Sequence, residues 1–438
     1  MRSRRTYRAR PVKQVDLELV SEGRGCQDAH IGFDVGKAEV LVVVRWADGG
    51  FERPWLAKNP DEITIVVGLL TQMAADRPLT LAMEATGTYG DALRQALSDA
   101  GLPLRRVGAK ASHDYAEIFD GVPSQHDGKD AAVIAELAAI GKSVEWPYQS
   151  PSEVDQEMAY HVDWMDAQRR QHAMWLGRLE GLLARHWPEA TRWMELSSAT
   201  LLRVLHRYGG PAGLSRDSQA STELARHGGP FLAAEKIRGL TLSAATSVGV
   251  RQTAMDVRRM QRYAEQALAS RSEIAKSRHR LEELARGNAV IQRQAEAVGA
   301  ATACVLWVHL GDPKRYHCAE AYRKAMGLNL TERSSGMYQG KLRISKRGFS
   351  RVRRWLYFGA VRLVARGPVR QWYLQKKAKD GEQAKRALIG IMRKLALALY
   401  DVGVRGEPFD AWRLFPGTRL TRGKLHAGSR LKTKRSVG

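Results

Sequence analysis

With 438 residues, 44% apolar side chains and a formal charge of +24, the chain has room for two or three hydrophobic cores. Its surplus of positive charge repels itself unless a polyanion relieves it, which makes nucleic acid the leading partner. No apolar run reaches membrane length and the N-terminus is Arg-rich, so neither a spanning helix nor a secretory leader is expected. Cys26, Cys304 and Cys318 are scattered and odd in number, which suits a reducing cytoplasm and argues against disulfides or a zinc knuckle.

Residues 1–27 carry many like charges without apolar periodicity, and read as a flexible basic arm. Residues 28–145 read as an α/β domain. Strands at 30–34 and 39–46 and a third to about Leu56 form an antiparallel meander. A helix from about Asn59 to Met73 follows, with Ile63, Val66, Val67 and Leu70 on one face. Strand 79–84, helix 89–100, strand 103–107 and two further helices complete the unit near Gly141, the element order of a ribonuclease-H-like domain.

Carboxylates stand where such strands and helices end. Asp34 breaks the β-branched run IGFDVGKAEVLVVV before a tight turn, and Glu84 ends the strand LAME. Asp127 and Asp130 lie three apart at a helix start and share a face. Each alone could bond its own backbone or cap a helix. Together they would make a self-repelling pocket that calls for a divalent cation. Oxygen-only ligands favour Mg²⁺ or Mn²⁺, and two such ions about 4 Å apart stabilise both the entering and leaving oxygens of phosphodiester exchange. Gly32, Gly36 and Lys37 are too close together for a phosphate loop, and Ala38 replaces its Ser or Thr. A DxG turn between apolar strands also fits actin-like ATPases, but no second glycine-rich phosphate loop follows.

After a linker around Glu145–Ser152, residues 152–290 read as a helical coiled-coil region with two long helices, 153–187 and 251–287, and an insertion near 195–245. In the second helix Met260, Ala264, Ala267, Arg271, Ile274, Arg278 and Leu281 recur at steps of four and three, a coiled-coil seam weakened by its two arginines. Residues 291–405 read as a mostly helical domain with a basic loop, and 406–438 as a basic tail. Between Arg333 and Lys379 fourteen basic residues meet no acidic one. Arg333, Lys341, Arg343, Lys346, Arg347, Arg351, Arg353 and Arg354 are candidate nucleic-acid contacts. Ser334 and Ser335, set among these cations, are candidate nucleophiles, since the positive charge would stabilise an alkoxide and a pentavalent phosphate. The other reading is a Ser-Gly turn that binds phosphate with no covalent role.

In this order, IGFDVGK, MEATGTY, HDGKDAAVIAELA, MGLNLTERSSGMYQGKLRISKRGFSRVRRWL and IMRKLALALY resemble the insertion-sequence transposases that carry a DEDD RuvC-like domain and a C-terminal serine domain. These are bridge-RNA-guided recombinases related to pilin-type DNA invertases. The resemblance implies a RuvC-like fold, an acidic metal site at Asp34, Glu84, Asp127 and Asp130, and a covalent serine–DNA intermediate. Ser334, ten residues before Ile344, takes the family's serine position. It further implies donor and target DNA and a noncoding guide RNA as partners, a homo-oligomer joined through the coiled coil, and a cytoplasmic, nucleoid-associated bacterial protein. The family's Pro-Gly-Ile-Gly hairpin is Ala297-Val298-Gly299-Ala300 here, and its proline after Gly-Leu is Leu330. Rival readings are a junction nuclease that needs only the acidic site, a site-specific DNA invertase, and a non-catalytic binder.

Overall fold

The computed structural model describes residues 8–85, 87–119, 127–148, 150–332, 340, 342–366 and 369–415. Two compact units meet at Ser150 and Pro151.

The first unit is built on a sheet of β1 (Arg10–Pro11), β2 (Ala29–Val35), β3 (Glu39–Trp46), β4 (Trp55–Lys58), β5 (Leu79–Glu84), β6 (Leu104–Val107) and β7 (Ser143–Glu145), in the order β1-β4-β3-β2-β5-β6-β7. β2 runs antiparallel to β3 and parallel to β5. Helices α1 (Leu17–Ser21), α2 (Ile63–Asp76), α3 (Asp91–Asp99), α4 (Ala109–Phe119) and α5 (Asp127–Ala139) complete it. Both faces of the central strands are covered, so β3 is buried from Val40 to Val44 without alternation. On α2 the buried stripe is Ile63, Val66, Leu70 and Met73, the helical period expected.

Two expectations need correction here. Residues 10–21 are not a loose arm: Arg10 pairs with Trp55 in a parallel ladder, and Val12 and Val20 are buried in the sheet's core. Their few apolar side chains cover one sheet face, while the surrounding arginines hide the pattern in the sequence. The linker also begins later, because β7 pairs with β6 and Trp146 donates its backbone N–H to Leu104. The Arg94 guanidinium then stacks over Trp146 at 3.6 Å.

The second unit is helical. α6 (Glu153–His186) leads through α7 (Ala190–Trp193), α8 (Ala199–Tyr208), α9 (Pro211–Ser215), α10 (Ala220–Gly228) and α11 (Ala234–Ala245) to α12 (Ala254–Arg286). The short helices share a core with both long ones around Trp187, Leu201, Leu205, Leu224 and Leu240. α6 and α12 run antiparallel: Glu157 accepts from Arg280 at 2.6 Å, Glu273 from Trp164 at 3.1 Å, and His172 meets Ala267 O at 3.0 Å.

The buried seam of α12 is Met260, Ala264, Ala267, Ser270, Ser277, Leu281 and Leu284, with Ile274 half-buried. Arg271 and Arg278, expected in the seam, are exposed, and the serines one residue earlier replace them. A serine admits close helix approach where a guanidinium would have to be desolvated. The seam expected to join protomers is thus filled within the chain.

α13 (Ala289–Val298), α14 (Ala300–Leu310), α15 (Ala319–Ala325), α16 (Ser350–Arg366), α17 (Arg370–Lys379), α18 (Ala384–Arg405) and α19 (Ala411–Leu414) follow. Between them β8 (Leu330–Thr331) and β9 (Arg343–Ile344) form a small hairpin. The boundary expected at 290 is not a packing boundary. Met158, Val162, Met165 and Leu281 of the long helices share one core with Tyr322, Leu356, Ile391 and Leu395. Nor is 406–438 all tail, since Phe415 is buried there and packs on Trp372 at 5.1 Å. No described helix is long and apolar enough to cross a membrane.

Candidate functional site: an acidic sheet end and a clamped basic loop

The register of β2 and β5 pairs Gly32 with Ala82 and Phe33 with Met83. Asp34 and Glu84, one step further on, therefore end adjacent parallel strands side by side on one sheet face. Both are half-buried. That face is covered by α5, which lies directly on Gly32: a Cβ built there would fall 2.0 Å from Ala131 O and 2.5 Å from Ala135 N. Glycine is required by this approach, not by a turn.

The direction of α5 follows from its contacts. Glu136, late in the helix, is ion-paired with Arg45, which stands opposite His30 at the start of β2. Ala131 and Ala132, early in the helix, pack against Leu41, which stands opposite Asp34. The first turn of α5, with Asp127 and Asp130, thus points to the strand ends that carry Asp34 and Glu84. Its dipole favours negative charge there. Among the described residues no three His, Cys, Asp or Glu side chains gather closely enough to hold a metal. The Asp127 side chain lies outside that description, and the donor chemistry of the four carboxylates, all hard oxygens, suits Mg²⁺ or Mn²⁺.

Sequence reasoning missed two residues at this end. Lys129 is 3% exposed in the same helical turn, a buried lysine between Asp127 and Asp130 in the chain. Asn59, a helix start by its sequence, is the other. Its Nδ2 donates to Gly36 O at 2.9 Å and to Tyr89 O at 3.2 Å, which ties together the loops that follow β2 and the β5 motif. The buried lysine had a signal, a cation between the paired aspartates. The asparagine had none, because its partners are distant in sequence.

In the second unit, Arg333, Ser334, Ser335 and Lys341 lie outside the described residues. The stems of their loop are closely held. Leu330 pairs with Ile344 and Thr331 with Arg343. Ser345 N donates to Asn329 O at 2.6 Å and Lys346 N to Gly327 O at 3.0 Å. Gly327 and Gly348 have φ of +70° and +145°, and a Cβ on Gly348 would strike Ala325 O at 2.2 Å. Arg353 Nη1 donates to Met326 O at 3.1 Å and Gly348 O at 2.9 Å, and Arg393 Nε to Leu328 O at 3.0 Å.

The candidate nucleic-acid contacts therefore divide. Arg343, Lys346 and Arg347 are exposed. Arg353 clamps the backbone instead. Arg351 and Arg354 both bond Asp166 Oδ2, at 2.8 and 2.6 Å, and Asp166 is 1% exposed. Trp355 is buried under Arg169, whereas Phe358 is exposed. The Ala297–Ala300 stretch is a corner between α13 and α14 with Gly299 at φ +82°, held by Arg362 donating to Val298 O and Thr302 Oγ1.

Charge separates by unit. Residues 1–150 hold 18 Lys or Arg against 21 Asp or Glu, and residues 151–438 hold 52 against 25.

Two family models align with these two sites. A transposase model of the DEDD IS110 type matches residues 31–188, and one described as "Transposase IS116/IS110/IS902 family" matches residues 292–375. Both models describe transposases of the IS110 type, and they match in the order expected of such a chain. Consistent with this, the chain is 24% identical over 335 residues to the "Insertion element IS110 uncharacterized 43.6 kDa protein" of Streptomyces coelicolor, a match covering 74% of this chain and 80% of that protein. What these matches support is a transposase, and a transposase assignment implies a DNA-cleaving and DNA-joining enzyme. The DEDD model covers the strands that deliver Asp34 and Glu84, and the IS116/IS110/IS902 model covers the clamped basic loop.

Proposed function

We propose that this chain is an IS110-family transposase that cuts and rejoins DNA strands through Ser334, with Asp34, Glu84, Asp127 and Asp130 holding divalent cations and an element-encoded RNA choosing the sites. The observation that carries the reading is that β2, β5 and the first turn of α5 bring Asp34, Glu84, Asp127 and Asp130 to one end of the sheet, with Asp34, Glu84 and Asp130 not gathered within metal-binding distance of one another. The sheet order, with β2 between β3 and β5, supports a ribonuclease-H-like assignment. Mg²⁺ or Mn²⁺, when bound, would stabilise the entering and leaving oxygens of phosphodiester exchange. Ser334 Oγ would form a bond to phosphorus while a sugar oxygen leaves and takes up a proton. A second strand's hydroxyl would later displace the serine. The number of phosphodiester bonds is conserved, so no external energy source is needed.

The clamped stems support this role, since a nucleophile on a long loop needs fixed ends to reach one position. Exposed Arg343, Lys346 and Arg347 would contact phosphates, and Arg353, bonded to Met326 O and Gly348 O, would set the loop's frame. Guidance by RNA rests on the family resemblance: base pairing would read sequence while the protein reads backbone and shape. The filled α6–α12 seam means that an oligomer would use another surface.

The test combines the protein, Mg²⁺, the candidate RNA from the DNA flanking the gene and a labelled donor duplex, resolved on a denaturing gel. A protein–DNA adduct that disappears in both Ser334→Ala and Asp34→Asn is expected. Cleavage without an adduct, unchanged in Ser334→Ala, would instead support a junction nuclease using the acidic site alone.

A further inference from the structure

On α6 the Tyr160 and Trp164 rings lie parallel, 9° apart with centroids at 6.4 Å. Both are exposed, at 57% and 37%. They line a cleft of about 330 Å³ together with Asp163, Ala167, Arg170 and Arg351. Two adjacent exposed aromatic rings on an otherwise polar helix offer flat apolar surface for a ligand to cover.

Arg351 is unusual among the cations here because its direction is fixed from behind. Its Nε bonds the buried Asp166 Oδ2 at 2.8 Å, and its Nη1 reaches the exposed Asp163 and, at 3.3 Å, His309. Asp166 cannot leave without abandoning a buried charge. Asp163 is 65% exposed and exchanges readily with solvent or another anion. The cleft thus presents a pre-oriented guanidinium with a replaceable partner, a second exposed arginine and two flat π-faces.

We propose that this cleft is a docking site for single-stranded nucleic acid, with an unpaired base stacked on Tyr160 and Trp164 and its phosphate on Arg351 and Arg170. Stacking requires an unpaired base, because a duplex hides its π-faces. A second copy of the chain would have to bring its own surplus of positive charge against these arginines, and the twofold excess of basic over acidic residues beyond Ser150 disfavours that. The site rests on the nucleic-acid reading of the protein but not on the serine chemistry.

The experiment measures binding of fluorescent 12-nucleotide single strands, DNA and RNA of one sequence, to the full chain by anisotropy at several salt concentrations. Y160A/W164A is expected to weaken binding by about tenfold or more while Y160F/W164F retains it. R170Q is expected to lower the slope of log affinity against log salt by about 0.7, one phosphate contact on a single strand. Loss of affinity for either sugar supports the site, and the difference between them says which strand it prefers. Circular dichroism confirms that the variants fold.

Unchanged affinity in Y160A/W164A overturns the proposal, as does absence of single-strand binding by the wild type. A variant that binds normally but has a smaller mass by light scattering assigns the cleft to a second copy instead. If D34N binds the single strand as the wild type does while no adduct forms in any protein, the serine reading fails and this one stands.

Discussion

Replacing Gly32 with alanine tests how the acidic site is built. The new Cβ would sit 2.0 Å from Ala131 O and 2.5 Å from Ala135 N, both backbone atoms that no rotamer change can move. Ordinary contact begins at 3.4 Å, so α5 must retreat by about 1.4 Å or β2 must bend. Overpacking of this kind costs about 1–3 kcal/mol. The functional effect is larger, because α5 carries Asp127 and Asp130 while β2 carries Asp34. A shift of about 1 Å between groups that act together costs on the order of a hundredfold in rate. Gly32→Ala should therefore lower DNA cleavage by about two orders of magnitude, with the sheet unit still folded. Single-turnover cleavage of a labelled duplex gives the rate, and urea denaturation followed by tryptophan fluorescence gives the stability. Cleavage within twofold of the wild type would refute the argument that α5 positions the aspartates through Gly32.

Three further outcomes are expected. Asp166→Ala should destabilise the helical unit by about 3 kcal/mol, the lower end for a broken buried ion pair because Arg351 and Arg354 can turn partly to water, and Asp166→Asn by less; urea midpoints measure both. Gly299→Ala places a side chain at φ +82°, 3.0 Å from Arg362 Nη1, and should lower the melting temperature through strain of about 1 kcal/mol or more. Tyr208 is pushed up to about 12 by burial and by its 2.6 Å bond to Asp217. Its neutral form is favoured in the folded state, so this contribution is complete below about pH 10 and is lost as pH rises towards about 12. The difference in stability between the wild type and Tyr208→Phe, measured by denaturation at a series of pH values, should shrink across that window.

The strands and long helices were legible in the sequence because their side chains repeat with the backbone's own period. The β-branched runs of β2 and β3 and the breaks at Trp187 and Gly287 are local signals. The carboxylates fall at element ends as well: Glu84 closes β5, Asp127 opens α5, Asp34 is the last residue but one of β2 and Asp130 lies in the first turn of α5. What the sequence could not reveal is which of two neighbouring positions faces a partner. Ser270 rather than Arg271 enters the α12 seam, where a guanidinium would have to be desolvated. Residues 10–21 looked like a charged arm until β4 offered them an edge to pair with.

The roles of the basic residues changed most. Arg351, Arg353 and Arg354 are equal members of a charge run when read in order, yet the fold gives two of them to a carboxylate 188 and 185 positions earlier by number and the third to two backbone carbonyls. Charge and residue type are properties of the chain, so the sequence alone determined the surplus of positive charge, the places of the carboxylates along the chain and the order of the main elements. Burial and pairing are properties of packed neighbours, which are brought together only by long-range contacts. For that reason the tertiary structure alone decided that Lys129 is buried beside the aspartates, that Asp166 anchors the basic helix, and that Gly32 sets the height of α5 over Asp34.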